Sequence, residues 1–219
     1  NLRQLQTLSL EGNSLNGTVP SFLSKMSSLK TLALSDNQLH GPLPTSLSAL
    51  TQLSTLALDR NELVGTLPTQ WALLSSLTSL TLHECHFFGT LPTNDAWPLL
   101  ELLSLHTNEF SGVIPTSFTR FFRLRVLDLS RNRISGTVPA QIGSLKELRV
   151  LRLEGLMLTG SAPPQLVALN ELQELSLTDN AFTGPLPPLS KTMVRLRVNG
   201  NKFHGSVPAG QYPELLLMD

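Results

Sequence analysis

Cysteine is almost absent from this sequence. Cys85 is the single cysteine among 219 residues, so no disulfide can form within the chain. A secreted protein built from repeats often carries cysteine pairs at its ends. Their absence indicates either a reducing compartment or a fragment cut from a longer array, and no signal peptide opens the chain.

Charge is also scarce and balanced. Charged residues make up 15% of the chain, and 16 basic residues match 16 acidic ones. This balance argues against nucleic acid as a partner, because a basic excess is the usual electrostatic footprint of such proteins. No apolar run approaches the roughly 20 residues that a membrane-spanning helix needs. We therefore expect no direct membrane insertion by this segment.

The two halves of the chain differ in the sign of their charge. Residues 1–110 contain 4 basic and 8 acidic residues, whereas residues 111–219 contain 12 basic and 8 acidic ones. Such polarity can orient a partner or favour head-to-tail contact between copies. The alternative is a solvated surface with uneven charge and no partner.

A repeat accounts for most of the composition. A Gly-x-x-Pro unit recurs nine times at spacings of 21 to 24 residues, each time after a Leu-x-x-Leu-x-Leu run or a close variant. The pattern predicts one array over residues 1–219, with nine aligned repeats of about 24 residues and a partial tenth that begins at Tyr212. The prolines are Pro20, Pro44, Pro68, Pro92, Pro115, Pro139, Pro163, Pro187 and Pro208.

Each position of the repeat has a physical role. Leu8 and Leu10 lie two residues apart, so a strand directs both into a core while Thr7 and Ser9 face outward. Stacked copies then form a parallel sheet with strands about 4.8 Å apart. Apolar residues three positions after a proline predict a second buried row on the opposite side. These residues are Leu23, Leu47, Trp71, Phe118, Ile142 and Leu166.

A row of asparagines follows the strands. Their amides both donate and accept hydrogen bonds, so they can satisfy backbone groups where the chain turns. The predicted ladder consists of Asn13, Asn37, Asn61, Asn108, Asn132, Asn180 and Asn201. Cys85 and Leu156 interrupt it. Because leucine has no amide, we expect a local distortion of the backbone over Glu154–Leu158.

The full unit resembles the plant-type leucine-rich repeat, L-x-x-L-x-x-L-x-L-x-x-N-x-L-x-G-x-[IVL]-P, as in Phe121–Pro139 and Leu145–Pro163. The resemblance covers essentially the whole chain. It implies an α/β solenoid-type fold, a right-handed horseshoe with a parallel concave β-sheet and an irregular or 3-10 convex side. Proteins of this class include ectodomains of plant receptor kinases, inhibitors of polygalacturonases, and surface antigens of kinetoplastids. Gly65–Trp71 resembles the G-T-L-P-x-x-W variant of the kinetoplastid repeat.

The variable strand positions predict where a ligand binds. If the register holds, the centre of the concave face combines apolar and polar side chains, as recognition surfaces do. We call this set the concave patch, and the alternative is an ordinary strand surface. The concave patch contains Thr81, His83, Leu102, Ser104, His106, Val126, Asp128 and Arg152.

No catalytic or nucleotide-binding motif is present, so we expect neither an enzyme nor a cofactor. The run His83-Glu84-Cys85-His86 lacks metalloprotease spacing, and strand alternation should separate its members. His83 and His106 should share a column of adjacent strands and are the better pair for zinc. A third ligand is not obvious, although Asp59 or Asp128 could approach. We expect no bound metal.

These observations favour a non-catalytic recognition module that binds a protein or peptide, or a glycan, through its concave face. The resemblance implies an extracellular or cell-surface location, where Asn16-Gly17-Thr18 would be a glycosylation sequon. An intracellular, cytoplasmic scaffold and an inhibitor of an extracellular enzyme stay open as alternatives. Because the chain lacks polar capping repeats, we also expect self-association through its ends.

Overall fold

The computed structural model describes residues 2–93 and 97–207 and, further along, the strand Leu216–Leu217. Short parallel strands one repeat apart pair in sequence order to form a ten-stranded sheet, which lines the concave face. Its strands are Thr7–Ser9 (β1), Thr31–Ala33 (β3), Thr55–Ala57 (β5), Ser79–Thr81 (β7), Leu102–Ser104 (β9), Val126–Asp128 (β11), Val150–Arg152 (β13), Glu174–Ser176 (β15), Arg195–Arg197 (β17) and Leu216–Leu217 (β19).

The register of this sheet aligns equivalent positions of successive repeats. Thr7 pairs with Thr31, and Asp128 pairs with Arg152. From β3 to β17 the middle leucine of each strand is buried in the core, and the residues on either side of it form two outward columns. The prediction of a parallel concave sheet is confirmed. Of the residues that predicted a tenth repeat, Leu217 lies in β19, whereas Tyr212 and Leu215 lie outside the described residues.

A second parallel sheet, absent from the prediction, flanks the first. Of its nine described strands, eight contain the glycine of a Gly-x-x-Pro unit, and the ninth ends two residues before Gly205. The sequence suggested that this segment would be irregular. The nine strands are Asn16–Gly17 (β2), Gln38–Gly41 (β4), Glu62–Gly65 (β6), His86–Thr90 (β8), Glu109–Gly112 (β10), Arg133–Gly136 (β12), Met157–Ser161 (β14), Ala181–Gly184 (β16) and Lys202–Phe203 (β18). We call this the outer sheet.

Short 3-10 helices form the convex side. They are Leu2–Gln4 (η1), Ser21–Lys25 (η2), Thr45–Ala49 (η3), Thr69–Leu73 (η4), Thr116–Arg120 (η5), Ala140–Ser144 (η6) and Pro164–Ala168 (η7). From η2 to η7 a proline with extended backbone precedes the helix, because its fixed φ suits the entry and no N–H is needed there. The predicted second row of the core is confirmed, since every one of its six residues lies in such a helix and is buried.

The fifth repeat departs from this pattern around Trp97. The sequence of residues 94–98 does not follow the other repeats, and residues 94–96 lie outside the described residues. Trp97 is buried, and its indole N–H donates a hydrogen bond of 2.9 Å to the carbonyl oxygen of Trp71. Its ring also stacks on Phe121, with 6.4 Å between the ring centroids. A single large side chain thus occupies the core where the repeat is irregular.

Asparagine amides connect neighbouring repeats. Asn132 donates to the carbonyl oxygens of Leu105, Leu129 and Ser130 at 3.0, 2.8 and 3.2 Å. Its own oxygen accepts the N–H of Phe110 at 2.9 Å. The same pattern recurs at Asn37, Asn61, Asn108, Asn180 and Asn201, whereas Asn13 donates only to carbonyls of its own repeat. Apart from that of Asn13, each of these amides therefore satisfies backbone groups in two repeats.

The distortion predicted around Leu156 is not observed, and that prediction was wrong. Gly155 has φ +61°, close to +54° at Arg131, its equivalent one repeat earlier. The hydrogen bond from the Gly155 N–H to the Thr178 oxygen is 2.9 Å long. Backbone pairing with adjacent repeats therefore preserves the turn although the side chain at position 156 cannot form hydrogen bonds.

Candidate functional site

The eight residues of the concave patch lie on or directly after four adjacent strands, β7, β9, β11 and β13. The register aligns Thr81 with Ser104, Ser104 with Asp128, and Asp128 with Arg152. Leu102 pairs directly with Val126 in the neighbouring column. His83 and His106 follow the ends of β7 and β9. The structure therefore brings together all eight residues that the sequence suggested.

The apolar members of the concave patch are less accessible than the sequence suggested. Leu102 and Val126 are half-buried, and Ser104 and Asp128 are buried. Neighbouring strands are about 4.8 Å apart, so on a concave surface the side chains of adjacent strands shield one another from solvent. A ligand at this site would consequently contact the tips of these side chains.

The two histidines stack face to face at the centre of the concave patch. Their ring centroids are 4.2 Å apart and the ring planes differ by 20°. Nδ1 of His83 lies 3.2 Å from the Ser104 hydroxyl, and Nε2 lies 3.4 Å from Oδ2 of Asp59. The hydroxyls of Ser35 and Thr81 donate to the other oxygen of Asp59 at 2.8 and 2.6 Å. The His83 ring is thus held from two sides.

Burial lowers the pKa of His106 below its ordinary value of 6.5. The charge of Asp128 opposes this effect, while the neighbouring His83 adds to it because two adjacent imidazolium ions repel each other. His106 is therefore a neutral imidazole at pH 7, and Nδ1 of this ring lies 3.1 Å from the Thr107 hydroxyl.

An ion network borders the concave patch on β15 and β17. Glu174 is buried and accepts hydrogen bonds from Arg152 and Arg195 at 2.9 and 3.0 Å. Arg152 also approaches Asp128 at 3.5 Å, and Arg197 approaches Glu174 at 3.8 Å. Sequence reasoning missed Glu174 as the centre of this network, although its position beside Arg195 in one column was a signal.

The pKa values of the network follow from these contacts. Burial alone would raise the pKa of Glu174, but the hydrogen bonds and charges of Arg152 and Arg195 outweigh it and hold that pKa below its ordinary value. The hydrogen bond to Glu174 in turn raises the pKa of Arg152. Both groups stay charged at neutral pH, so the network fixes the orientation of Arg152 at the edge of the concave patch.

A shallow groove of about 450 Å³ runs beside His106 along the ends of these strands. It includes His106, Asp128 and Arg152 from the concave patch, and it is more polar than the patch itself. Its other lining residues are Glu84, Thr107, Ser130, Arg131, Glu154 and Arg197. Acidic and basic side chains both line the groove and offer hydrogen-bond acceptors and donors. Such a lining suits the backbone and polar side chains of an extended peptide.

The donor atoms of His83, Glu84 and His106 all lie within 4.8 Å of one another. The sequence suggested Asp59 or Asp128 as a third ligand and treated Glu84 as separated from His83, but the structure places Glu84 with the two imidazoles. Cys85 is indeed separate. Burial raises the pKa of its thiol to about 11, and Sγ contacts the Leu58 carbonyl oxygen at 3.6 Å in the core.

Comparisons with known proteins agree with this architecture. A family model described as leucine rich repeat matches residues 3–63, 98–158 and 123–182. Among solved structures, a TDR receptor is 34% identical with a TM-score of 0.92, and the match covers 94% of this chain and 37% of that one. No curated protein matches the chain.

Two further structures are named with partner molecules. The Arabidopsis receptor kinase HAESA, in complex with the peptide hormone IDA and the co-receptor SERK1, is 32% identical with a TM-score of 0.92, covering 97% of this chain and 37% of that one. The PEPR1-AtPEP1 structure is 32% identical with a TM-score of 0.89, covering 93% and 29% respectively. This chain therefore spans between 29% and 37% of the length of these three structures. Among the described residues, no helix has the length and apolarity to cross a membrane.

Proposed function

Because this chain belongs to the leucine-rich repeat family, we propose that it is a non-catalytic recognition module that binds a peptide or protein ligand across its concave face. The observation that carries the proposal is the concave patch with its adjoining groove. Half-buried Leu102 and Val126 supply apolar contact, while His106, Asp128 and Arg152 supply fixed polar groups. Fixed side chains lose little entropy on binding, which favours affinity.

The structural relatives support a peptide as ligand. HAESA is bound to a peptide hormone in its complex, and PEPR1 is named together with AtPEP1. An extended peptide lying across β7 to β13 would cross four strands, roughly 15 Å at the usual strand spacing. We propose that the groove receives polar groups of such a peptide and that Leu102 and Val126 contact its apolar side chains.

This proposal is tested by selecting, from a displayed library of random twelve-residue peptides, those that bind the chain. The selection buffer contains EDTA, which removes metal ions. Selected peptides are synthesised, and their affinities are measured by calorimetry. Val126→Asp should weaken binding at least about tenfold, because it removes apolar contact and adds a charge. The double variant His83→Ala/His106→Ala should also weaken binding. Val113→Asp is the matched control, since this exposed valine follows β10 in the outer sheet.

Two results would overturn the proposal. One is a library that yields no peptide whose binding depends on Val126. The other is a set of selected peptides that lose affinity equally in Val113→Asp and Val126→Asp, since the concave face would then have no special role. Binding to a glycan array by the unmodified chain, with no peptide selected, would favour a glycan ligand instead.

We further propose that the protein acts at a cell surface. The support is the similarity to ectodomains of receptor kinases, together with Asn16, which is exposed in β2 within its sequon. An antibody raised against this chain should label intact cells of the source organism. Labelling that appears only after permeabilisation would favour the intracellular scaffold.

A further inference from the structure

Two imidazoles and a carboxylate converge at the centre of the concave face. His83 and His106 occupy the same column on adjacent repeats, and the carboxylate of Glu84 reaches both, so that one donor atom from each residue lies within 4.8 Å of the others. We propose that these three side chains bind a zinc ion. The site needs no peptide ligand, so it stands independently of the proposed recognition function.

The backbone fixes the starting points of the three side chains. Glu84 has φ +53°, a left-handed turn conformation that directs it away from the strand alternation of its neighbours. Its N–H donates a hydrogen bond of 3.0 Å to the carbonyl oxygen of His106. The turn that carries His83 and Glu84 is therefore joined directly to the turn that carries His106, and only side-chain rotation is needed to adjust the donors.

The required adjustment is small. Zinc bonds of about 2.0–2.1 Å in a tetrahedral arrangement place ligand atoms roughly 3.4 Å apart, so donors now within 4.8 Å must approach by at most about 1.4 Å. A metal ion lies in the plane of each imidazole that binds it, whereas these rings are stacked with planes only 20° apart. The rings consequently turn out of the stack when zinc binds.

Each ring already has one nitrogen held by a neighbour. Nε2 of His83 faces Asp59 at 3.4 Å, and Nδ1 of His106 lies 3.1 Å from the Thr107 hydroxyl. A carboxylate or hydroxyl partner of this kind orients a metal-binding histidine and strengthens it as a ligand. The other nitrogen of His83, Nδ1, lies 3.2 Å from the neutral Ser104 hydroxyl, which a metal ion displaces readily.

The local charge also suits a divalent cation. Arg60 approaches Glu84 at 3.7 Å in an exposed ion pair, which competes weakly with a metal. Asp59 places a further negative charge beside His83, whereas Asp128 is partly offset by Arg152 at 3.5 Å. Imidazole and carboxylate donors suit zinc. Three protein ligands leave the fourth position of a tetrahedral site open to water or to a donor from a bound molecule.

Titration of the metal-free chain with zinc chloride in a calorimeter tests the proposal, with cobalt absorption spectra as a second readout. We expect one ion per chain. His83→Ala and His106→Ala should each reduce affinity by more than about a hundredfold, and Glu84→Gln by about tenfold. His86→Ala is the control, because His86 lies in β8 of the outer sheet. Circular dichroism checks that each variant is folded.

Absence of heat and of cobalt absorption in the folded chain would overturn the proposal. Binding that is unchanged in both His83→Ala and His106→Ala would also overturn it, as would equal loss in His86→Ala. Peptide selection in EDTA reports on the recognition function alone. Failure of one proposal is thus distinguishable from failure of the other.

Discussion

At the residue scale, the ladder asparagines show how one side chain stabilises two repeats. Asn132 is buried, and its amide forms three donated hydrogen bonds and one accepted one. Alanine at this position leaves buried carbonyls and an N–H without partners, each of which costs about 1–3 kcal/mol when it cannot reach water. A single ladder asparagine therefore contributes strongly to the folding stability of the array.

We predict that Asn132→Ala lowers the free energy of unfolding by about 3 kcal/mol, measured by urea denaturation. Asn13→Ala is the control, because Asn13 is exposed and bonds only within its own repeat, and it should cost less than about 1 kcal/mol. Equal losses in the two variants would show that contacts between repeats are not what the ladder contributes.

Two separate constraints favour glycine in the outer sheet, a positive φ and the lack of space for a Cβ atom. Gly17 and Gly89 have nearly the same positive φ, +87° and +88°. A Cβ at Gly89 would lie 3.0 Å from Cγ2 of Thr66 in the preceding repeat, whereas a Cβ at Gly17 would have nothing within 4 Å. The first position combines backbone strain with a steric contact, and the second has strain alone.

The pair of variants Gly17→Ala and Gly89→Ala separates these effects. We expect Gly17→Ala to cost about 1–2 kcal/mol from the left-handed backbone. Gly89→Ala should cost at least about 1 kcal/mol more, because the added methyl group displaces Thr66. Urea denaturation measures both, and a smaller loss for Gly89→Ala would mean that Thr66 rotates away at no cost.

At the scale of elements, the sequence repeat predicted the concave sheet but not the outer sheet. Period-two leucines specify a strand with one buried face, as at Leu8 and Leu10. The outer strands instead end near glycines, and their pairing depends on the next repeat, which local sequence does not reveal. Glu84 was misplaced for a related reason, because its positive φ breaks the strand alternation from which its direction was inferred.

The concave columns were predictable, but the reach of long side chains across them was not. Arg152 contacts Glu174 diagonally on the adjacent strand β15, and Asp128 directly opposite it on β11. Choosing between these partners depends on rotamers that pairing alone does not determine. The sequence therefore located the concave patch and missed the ion network that holds its edge.

We predict that the Glu174 network makes stability depend on acid pH. The folded-state pKa of Glu174 lies below its ordinary value of 4.5, so its stabilisation is present above the pKa of the unfolded chain. It is lost as the pH falls through the lower folded-state pKa. Glu174→Gln should reduce the free energy of unfolding by about 1–3 kcal/mol at pH 7 and by progressively less below pH 4.5.

Urea denaturation at a series of pH values checks this behaviour. Glu171→Gln is the control, because Glu171 is exposed and lies 3.8 Å from an exposed Arg149. Its effect should be small at every pH. A constant difference between Glu174→Gln and the unmodified chain from pH 7 to pH 3 would contradict the prediction.

At the scale of the whole molecule, stacking buries each repeat against its neighbours. Leu34 and Leu39 are buried, whereas Leu10 and Leu15, the equivalent residues of the first repeat, are 38% and 39% exposed. Among the described strands, β1 pairs on one side only, with β3. Unpaired strand edges and exposed leucines favour association between copies.

We predict that the 219-residue chain associates through this first repeat at high concentration. Sedimentation velocity should show a weight-average mass that rises with concentration above 23.9 kDa. Leu10→Lys/Leu15→Lys should keep the chain monomeric, because it places charge on the contact surface. Phe22→Lys is the control, since Phe22 is 56% exposed but lies in η2 on the convex side. The prediction would be wrong if the chain were a monomer at all concentrations. It would also be wrong if only Phe22→Lys abolished the association, because the contact would then lie on the convex side.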